Sequence, residues 1–387
     1  MGGKTVKLFH LGDLHLGKRV NGFSMLEDQK YILDKILELV EQQKPDAVMI
    51  AGDVYDKTIP SAEAVELLDY FLTELVRKNI IVFMISGNHD SAERLHFGSQ
   101  MFIKNQVYIA GTFRGKLQKV TVADEYGNLN FYLLPFIKPA MVAPYFKDRE
   151  VETYEDAVQA ILQSENIDET ERNILIGHQF VTKGGVAEES DSEIKAVGGV
   201  EQIDYSLFRA FDYVALGHLH SPQKVGRETV RYAGSPLKYS FSEARQKKCV
   251  TMLNMNEKED ISVVKHSLIP LRDMREVKGP IQALVEAAMA DLAEKDDYIH
   301  ATLTDEEELF DAVGQLRTVY PNLMTIDFEN SKSKKSNISQ SAAENPQEWS
   351  PLQLFCDFYE KQNNISMSDV QFKIVESLFE EIGGGVE

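Results

Sequence analysis

Ala47-Val48-Met49-Ile50-Ala51-Gly52-Asp53-Val54-Tyr55-Asp56 is the stretch that decides the fold. An unbroken apolar run of this length, without polar alternation, fits a strand buried on both faces, as in a parallel sheet. It stops at Gly52-Asp53. Four other apolar runs stop the same way. Val6-Lys7-Leu8-Phe9 leads into Gly12-Asp13-Leu14-His15, and Ile80 to Ile85 into Gly87-Asn88-His89-Asp90. Ile174-Leu175-Ile176 leads into Gly177-His178, and Tyr213-Val214-Ala215-Leu216 into Gly217-His218-Leu219-His220. Ligands of open α/β sheets bind just outside the carboxyl ends of the strands. Five strand ends would then deliver Asp13, His15, Asp53, Asn88, His178, His218 and His220 to one rim.

Taken singly these motifs are weak. An Asp-x-His pair is common in loops, and Gly-Asn-His-Asp alone is ordinary turn chemistry. Together they call for metal, because mixed oxygen and imidazole ligands suit Mn, Fe or Zn. With Asp53 as a shared carboxylate the set divides in two. Asp13, His15, Asp53 and His220 would hold one ion, and Asp53, Asn88, His178 and His218 the other. Two ions about 3.5–4 Å apart are the arrangement used for in-line phosphoryl chemistry.

These motifs, in this order, resemble the signature of the calcineurin-like metallophosphoesterases. Leu11 to Lys18, Gly87 to Ser91 and Ala233-Gly-Ser-Pro-Leu-Lys-Tyr-Ser-Phe-Ser-Glu243 narrow the resemblance to the SbcD family of nuclease subunits, over nearly the whole chain. The resemblance implies an α/β two-sheet β-sandwich flanked by helices, with a small βαβαβ capping domain and a C-terminal helix pair. It implies two divalent cations, manganese first and magnesium as the alternative. The implied activity is phosphodiester hydrolysis by a metal-bridging hydroxide: exonuclease action on duplex DNA, endonuclease action on single strands and hairpins. The implied partners are an SbcC-like ATPase and a second copy of the chain. A small-molecule phosphodiesterase or phosphatase on the same fold is the alternative, since the cage alone does not choose the substrate. A scaffold with a relic site is a third reading, disfavoured because all seven ligand positions carry competent residues.

The bulk numbers fit a folded enzyme of two or three domains: 387 residues, 43% hydrophobic and 26% charged. A net charge of −20 argues against a protein that holds nucleic acid by its average field. Bound cations or a basic partner would have to offset it. Cys249 and Cys356 match no paired motif and read as thiols in a reducing compartment. No apolar run approaches the ~20 residues that span a bilayer, and no signal peptide is read at the N-terminus. The expected location is cytoplasmic, with no membrane contact.

Residues 1–268 read as the metallophosphoesterase domain. Helical stripes appear at Ile32, Leu33, Ile36, Leu37 and Val40, and again from Ala64 to Leu75. Residues 120–134 read as a hairpin and Val151 to Gln163 as a helix. Strands around Thr229, Cys249 and Ile261 are expected to close the second sheet as antiparallel neighbours. Residues 269–330 read as the capping domain, where His300 is structural, and 331–350 as a linker. Residues 351–387 crowd apolar side chains onto two helices, which need a cover; the family implies that 351–382 grip the ATPase.

One decoy is Gly12 to Lys18, which fits the start of a phosphate-binding loop. Arg19 stands where that motif needs Ser or Thr. Phosphodiester hydrolysis also needs an acid for the leaving oxygen. His89, beside Asn88, is the candidate, as in similar enzymes, with Asp90 expected to orient its other ring nitrogen. Some relatives carry a histidine three positions after the shared aspartate. Asp56 stands there, read as a helix cap or an acceptor behind the ligands. Lys18, Arg19, Arg94, Lys183, Lys238 and Arg245 are the basic residues expected near the rim, as phosphate contacts or as solvated surface charges.

Overall fold

The computed structural model describes residues 5–184, 190, 191, 193, 201–290, 296–307, 309–330, 352, 355, 356, 359 and 367–383. The chain divides into two compact units, Met1–Met274 and Arg275–Glu387. The division falls a few residues beyond Ile269-Pro270.

In the first unit, β1 (Val6–Leu11), β2 (Ala47–Ala51), β3 (Ile81–Ile85) and β4 (Val107–Ala110) form a parallel ladder. The crossovers are α1 (Leu26–Gln43) and α2 (Ala62–Arg77). The apolar stripes of both helices are buried, and that burial rather than propensity holds such helices. The chain then makes the hairpin β5 (Gln118–Asp124) and β6 (Gly127–Leu134), and α3 (Tyr154–Ser164). Thr153 and Asp156 close a reciprocal capping box, which fixes the start of α3 a turn later than the apolar pattern suggests. β7 (Arg172–His178), β8 (Tyr213–Gly217), β9 (Lys224–Val225) and β10 (Arg227–Tyr232) complete the second sheet, ordered β9-β10-β8-β7-β6-β5.

The last two strands correct the expectation. β11 (Cys249–Met255) and β12 (Ile261–Ser267) return to the first sheet, ordered β12-β11-β1-β2-β3-β4, with β11 antiparallel to β1. β10 does join the second sheet, but parallel to β8. Leu253 and Met255 point into the space between the sheets and are fully buried there, which a one-dimensional pattern does not show.

The interior follows the two-residue period of the strands. Phe131 and Leu133 of β6, with Ile174 and Ile176 of β7, meet Met49, Phe83 and Ile85 of the first sheet. Phe131 stacks on Phe83 with ring centroids 4.1 Å apart. The alternate residues Tyr132, Leu134 and Leu175 pack outward with Ala157, Val158 and Ile161 of α3.

The second unit holds β13 (Met274–Gly279), α4 (Ile281–Ala290), β14 (Tyr298–Leu303), α5 (Ala312–Arg317) and β15 (Leu323–Phe328). Its three-stranded sheet, ordered β13-β14-β15, covers a small core of Leu284, Ile299, Leu303, Leu316 and Leu323. His300 Nε2 lies 2.7 Å from Asp327 Oδ2. The expected linker 331–350 and most of the first terminal helix lie outside the described residues. The second terminal helix is α6 (Asp369–Gly383), with Val370, Phe372, Ile374 and Leu378 exposed. Among the described residues no helix is long and apolar enough to cross a membrane.

Candidate metal centre

The carboxyl ends of β1, β2, β3, β7 and β8 converge. The loops after β1 and β2 continue to pair beyond the sheet: Asp13 N–H donates to Gly52 O (3.1 Å) and His15 N–H to Asp53 O (2.9 Å). This pairing puts Asp13, His15 and Asp53 at φ of 53°, 45° and 48°. Asp and His enter the left-handed region more readily than most side chains. Close approach requires glycine at positions 52 and 87. A Cβ on Gly87 would sit 2.1 Å from Asp53 Oδ1, and one on Gly52 2.4 Å from His178 Nδ1.

All seven expected ligand residues meet. His15 Nε2 faces His220 Nε2 at 3.1 Å and Asp53 Oδ2 at 3.7 Å. Across Asp53, His178 Nε2 is 3.3 Å from Asp53 Oδ2 and 3.0 Å from Asn88 Oδ1. His218 Nδ1 is 3.2 Å from the same amide oxygen. Among the described residues three groups offer ligand atoms within 4.8 Å of one another: Asp13/His15/His220, Asp13/Asp53/His178 and His15/Asp53/His89. The second links the two expected sets, and the third brings His89 within reach.

The chemistry of this donor set fits cations. Burial raises Asp13 well above the usual carboxylate range. Burial would also raise Asp53, but the His178 charge and the hydrogen bond from its ring hold it below that range. Burial would lower His178, yet the Asp53 carboxylate carries it up to about 9. Burial holds His15 and His220 below the ordinary imidazole value and takes His218 down to about 3. The Asp53 carboxylate therefore draws positive charge inward, while three imidazoles keep bare lone pairs. Asp13 Oδ2 is buried without a hydrogen-bond partner, an unused acceptor on a residue of the cluster.

Around the cluster the structure corrects several expectations. Asp90 does not orient His89. Its carboxylate accepts from the backbone N–H groups of Val54, Tyr55 and Gly87, so it ties the β3 loop to the β2 loop. Burial and the Asp53 charge push Asp90 up to about 6. His89 Nδ1 instead lies 3.1 Å from the backbone oxygen of Asp56, and Nε2 faces Asp53 Oδ2 at 4.0 Å. The Asp56 side chain caps no helix; Ser61 caps α2. Its Oδ1 accepts from Lys18 (2.8 Å) and lies 3.7 Å from His15 Nδ1, as an acceptor behind a ligand.

Lys18 is thus turned to Asp56, and Lys238 to Asp273 and the Ala244 carbonyl. Neither presents a free ammonium. Arg19 donates to Gly22 O, Lys183 lies over the Tyr205 ring, and Arg94 lines a groove beside α2. Arg19, Arg94, Lys183 and Arg245 are exposed.

Several residues behind the cluster carry no motif of their own. Gln29 of α1 donates to His15 O (2.7 Å) and to Tyr239 Oη, and accepts from Gly17 N–H. Glu193, pushed up to about 7 by burial, accepts from His220 N–H. Buried Glu243 and Lys248 form an ion pair at 2.5 Å. Burial would raise Glu243, but the His220 hydrogen bond and the Lys248 charge hold it well below the carboxylate range. Of these, Glu243 alone lies in a segment used above, Ala233–Glu243, which carried the resemblance without a chemical role; Gln29, Glu193 and Lys248 had no signal.

Residues 6–222 match the family described as calcineurin-like phosphoesterase, and residues 270–363 the family described as type 5 capsule protein repressor C-terminal domain. The chain is 38% identical over 324 residues to the SbcD subunit of the SbcCD nuclease of Staphylococcus epidermidis, covering 83% of this chain and 85% of that protein. It is 36% identical over 335 residues to the Staphylococcus saprophyticus protein of the same name, covering 84% and 87%. Among solved structures, a dimetal phosphatase from Danio rerio is similar at 12% identity and a TM-score of 0.39, covering 68% of this chain and 96% of that one. A cluster of two buried carboxylates, four histidines and an asparagine at converging strand ends, on a chain matched at this depth over most of its length, belongs to the SbcD nuclease subunits of the calcineurin-like phosphoesterases.

Proposed function

We propose that this chain cleaves DNA phosphodiesters at the Asp53 cluster, as an exonuclease on duplex ends and an endonuclease on single strands and hairpins. The observation that carries the reading is the shared position of Asp53. Its carboxylate lies within 4.0 Å of ring nitrogens of His15, His178 and His89, residues from both sheets. Asp13, His15, Asp53 and His220 would hold one divalent cation, and Asp53, Asn88, His178 and His218 the other, manganese before magnesium. Bound there, the cations supply charge relief on the phosphate and an activated water.

The chain's own residues do the rest. His89 stands at the mouth of the cluster, partly open to solvent. Its main-chain N–H donates to Asp53 Oδ1 (2.9 Å), which ties the histidine's position to that of the shared carboxylate. The Asp56 carbonyl accepts only, so it keeps the ring proton on Nδ1. Nε2 is then the atom that takes up a proton and passes it to the leaving oxygen. Asp90 holds the loop that carries Asn88 and His89 against the loop that carries Asp53.

In this reading the protein works in the cytoplasm with an SbcC-like ATPase, gripped by residues 351–382. The exposed apolar face of α6 supports this, as does the net charge of −20, which leaves the basic DNA surface to a partner. A second copy would cover the groove beside α2, where Val65, Leu72, Phe97 and Phe102 gather and Phe97 is 84% exposed. Residues 1–268 would form the nuclease domain and 269–330 the cap.

The test is His89→Ala in the full chain with manganese. Turnover on blocked duplex ends and hairpins should fall about 10²–10⁴-fold, as when a positioned acid is removed. Binding of two metal equivalents should persist. Loss of both metals in this variant, or cleavage confined to small phosphomonoesters in the unaltered chain, would overturn the reading.

A further inference from the structure

We infer that Glu243 is a positioning residue for His220: it dictates which ring nitrogen His220 turns toward the cluster, and Lys248 fixes Glu243 for that task. The inference rests on the metal reading above and assigns a role to a segment that the reaction itself leaves unused.

His220 lies beyond the end of β8, where its carbonyl accepts from the main-chain N–H of Ser235 (3.1 Å). Side chains add to that hold. Glu193 Oε1 accepts from its main-chain N–H (2.5 Å), and Lys248 Nζ donates to its carbonyl (2.8 Å). Glu243 Oε1 faces its Nδ1 at 3.4 Å. An ionised carboxylate only accepts. The proton of a neutral His220 ring must therefore sit on Nδ1. That leaves the lone pair on Nε2, the atom facing His15 Nε2 across 3.1 Å. At His178 the same choice is made by backbone, since Nδ1 meets Ala51 O at 2.7 Å. Main chain cannot be lost by substitution, whereas Glu243 can.

Lys248 decides which way Glu243 faces. Its ammonium is buried and meets Glu243 Oε2 (2.5 Å), Ser235 Oγ (2.9 Å), Gln246 Oε1 (2.8 Å) and His220 O. Each of these is an acceptor. A donor group placed at Oε2 would oppose that ammonium at 2.5 Å, with the Ser235 hydroxyl farther off at 3.4 Å. Oε1 receives longer contacts from neutral donors, Tyr239 N–H and Ser240 Oγ at 3.3 Å each, so the charged contact decides which end of an amide faces Lys248. Glu243→Gln is therefore informative. Lys248 would keep the amide oxygen for itself and turn the amide NH₂ toward His220 Nδ1. That donor would take the Nδ1 lone pair and move the ring proton to Nε2, where a cation would have to bind. An ion pair that merely anchored the 233–248 segment would predict no change in the ring.

The experiment has two arms. In the metal-free full chain, labelled with ¹⁵N-histidine, the His220 ring signal is identified by its loss in His220→Gln. It should show the proton on Nδ1 in the unaltered protein and on Nε2 in Glu243→Gln. In manganese titrations followed by electron paramagnetic resonance, Glu243→Gln should weaken one of two sites about 10–100-fold, the usual scale for removing the partner of a ligating histidine. The other site should stay unchanged. A proton on Nε2 in the unaltered chain overturns the proposal, and this arm needs no folded Glu243 variant. Two sites of unaltered affinity in Glu243→Gln, or equal weakening of both, also overturn it. An unaltered chain that binds no manganese would instead strike the metal reading, while the ring measurement still decides the role of Glu243.

Discussion

Gly177-His178 and Gly217-His218 read alike in the sequence, each closing a buried parallel strand, yet the structure uses them in opposite ways. β7 and β8 pair with Gly217 opposite His178, so the two histidines are one step out of register. Side chains alternate between faces along a strand. His178 continues its strand and already points to the cluster. His218, one step further on, would point to the other face. Its backbone instead turns to φ 107°, and the imidazole comes back to meet Asn88 beside His178, with ring centroids 5.3 Å apart. The glycines differ accordingly. A Cβ on Gly217 would lie 1.9 Å from Ala51 O, whereas one on Gly177 would touch only Leu216 and Leu134 at 3.7–4.0 Å. One strand end delivers its ligand by regular geometry. The other does so by local strain, which surrounding structure must hold in place.

The largest effect should separate the two glycines. Gly217→Ala drives a methyl into a main-chain oxygen that cannot swing aside, and should cost about 1–3 kcal/mol or more in urea unfolding, as overpacking does. Gly177→Ala should change stability by less than about 1 kcal/mol, helped by the stiffer unfolded chain. Equal losses would show that the register argument fails.

The next effect concerns what holds the strained end. His10 of β1 is fully buried, with Nε2 3.1 Å from Leu216 O and Nδ1 3.1 Å from Tyr213 Oη. Nε2–H donates to the carbonyl and the tyrosine hydroxyl donates to Nδ1, so both partners are served by a neutral ring. Burial pushes His10 down to about 3; the Leu216 hydrogen bond opposes this and Arg231 adds to it. The folded value lies below the unfolded one of 6.5. Below that pH the unfolded chain takes up a proton that the folded chain refuses, so stability falls as pH drops from 6.5 toward 3. At pH 5 this amounts to about 2 kcal/mol, from 1.36 kcal/mol per pH unit. Unfolding free energies at pH 8 and pH 5 should differ by about that much less in His10→Asn than in the unaltered chain. An unchanged slope would mean that His10 titrates in the fold.

The contrast also marks how far the sequence is legible. Parallel strands buried on both faces are continuous apolar runs, and each ends in a residue type that apolar cores reject. Five such endings made both the layered fold and the convergence of the seven polar residues readable. Register is not written in that way, so the strain at His218 was invisible, and so was the return of β11 and β12 to the first sheet. Adjacency misled at Asp90, which lies next to His89 in the chain but serves the backbone of the neighbouring loop. His10, Gln29 and Glu243 escaped notice for a common reason. Each is one polar residue whose meaning comes from a partner more than twelve positions away, and no local pattern encodes that distance.

The smallest effect is the most direct reading of the comparison, because it removes both imidazoles and leaves backbone alone. A non-glycine residue in left-handed geometry costs about 1–2 kcal/mol relative to its ordinary conformation. Glycine in a strand costs about 0.5–1 kcal/mol relative to alanine. At position 218, His218→Gly should therefore be more stable than His218→Ala, by about 1 kcal/mol in the metal-free chain. At position 178 the order should reverse, with His178→Ala above His178→Gly. Each pair loses the same ring and the same hydrogen bonds, so chemistry cancels within the pair and conformation remains. A crossover in urea unfolding between the two positions assigns the difference to φ. Parallel orders at 178 and 218 would place both histidines in the same backbone class, and the strain at the end of β8 would have to be given up.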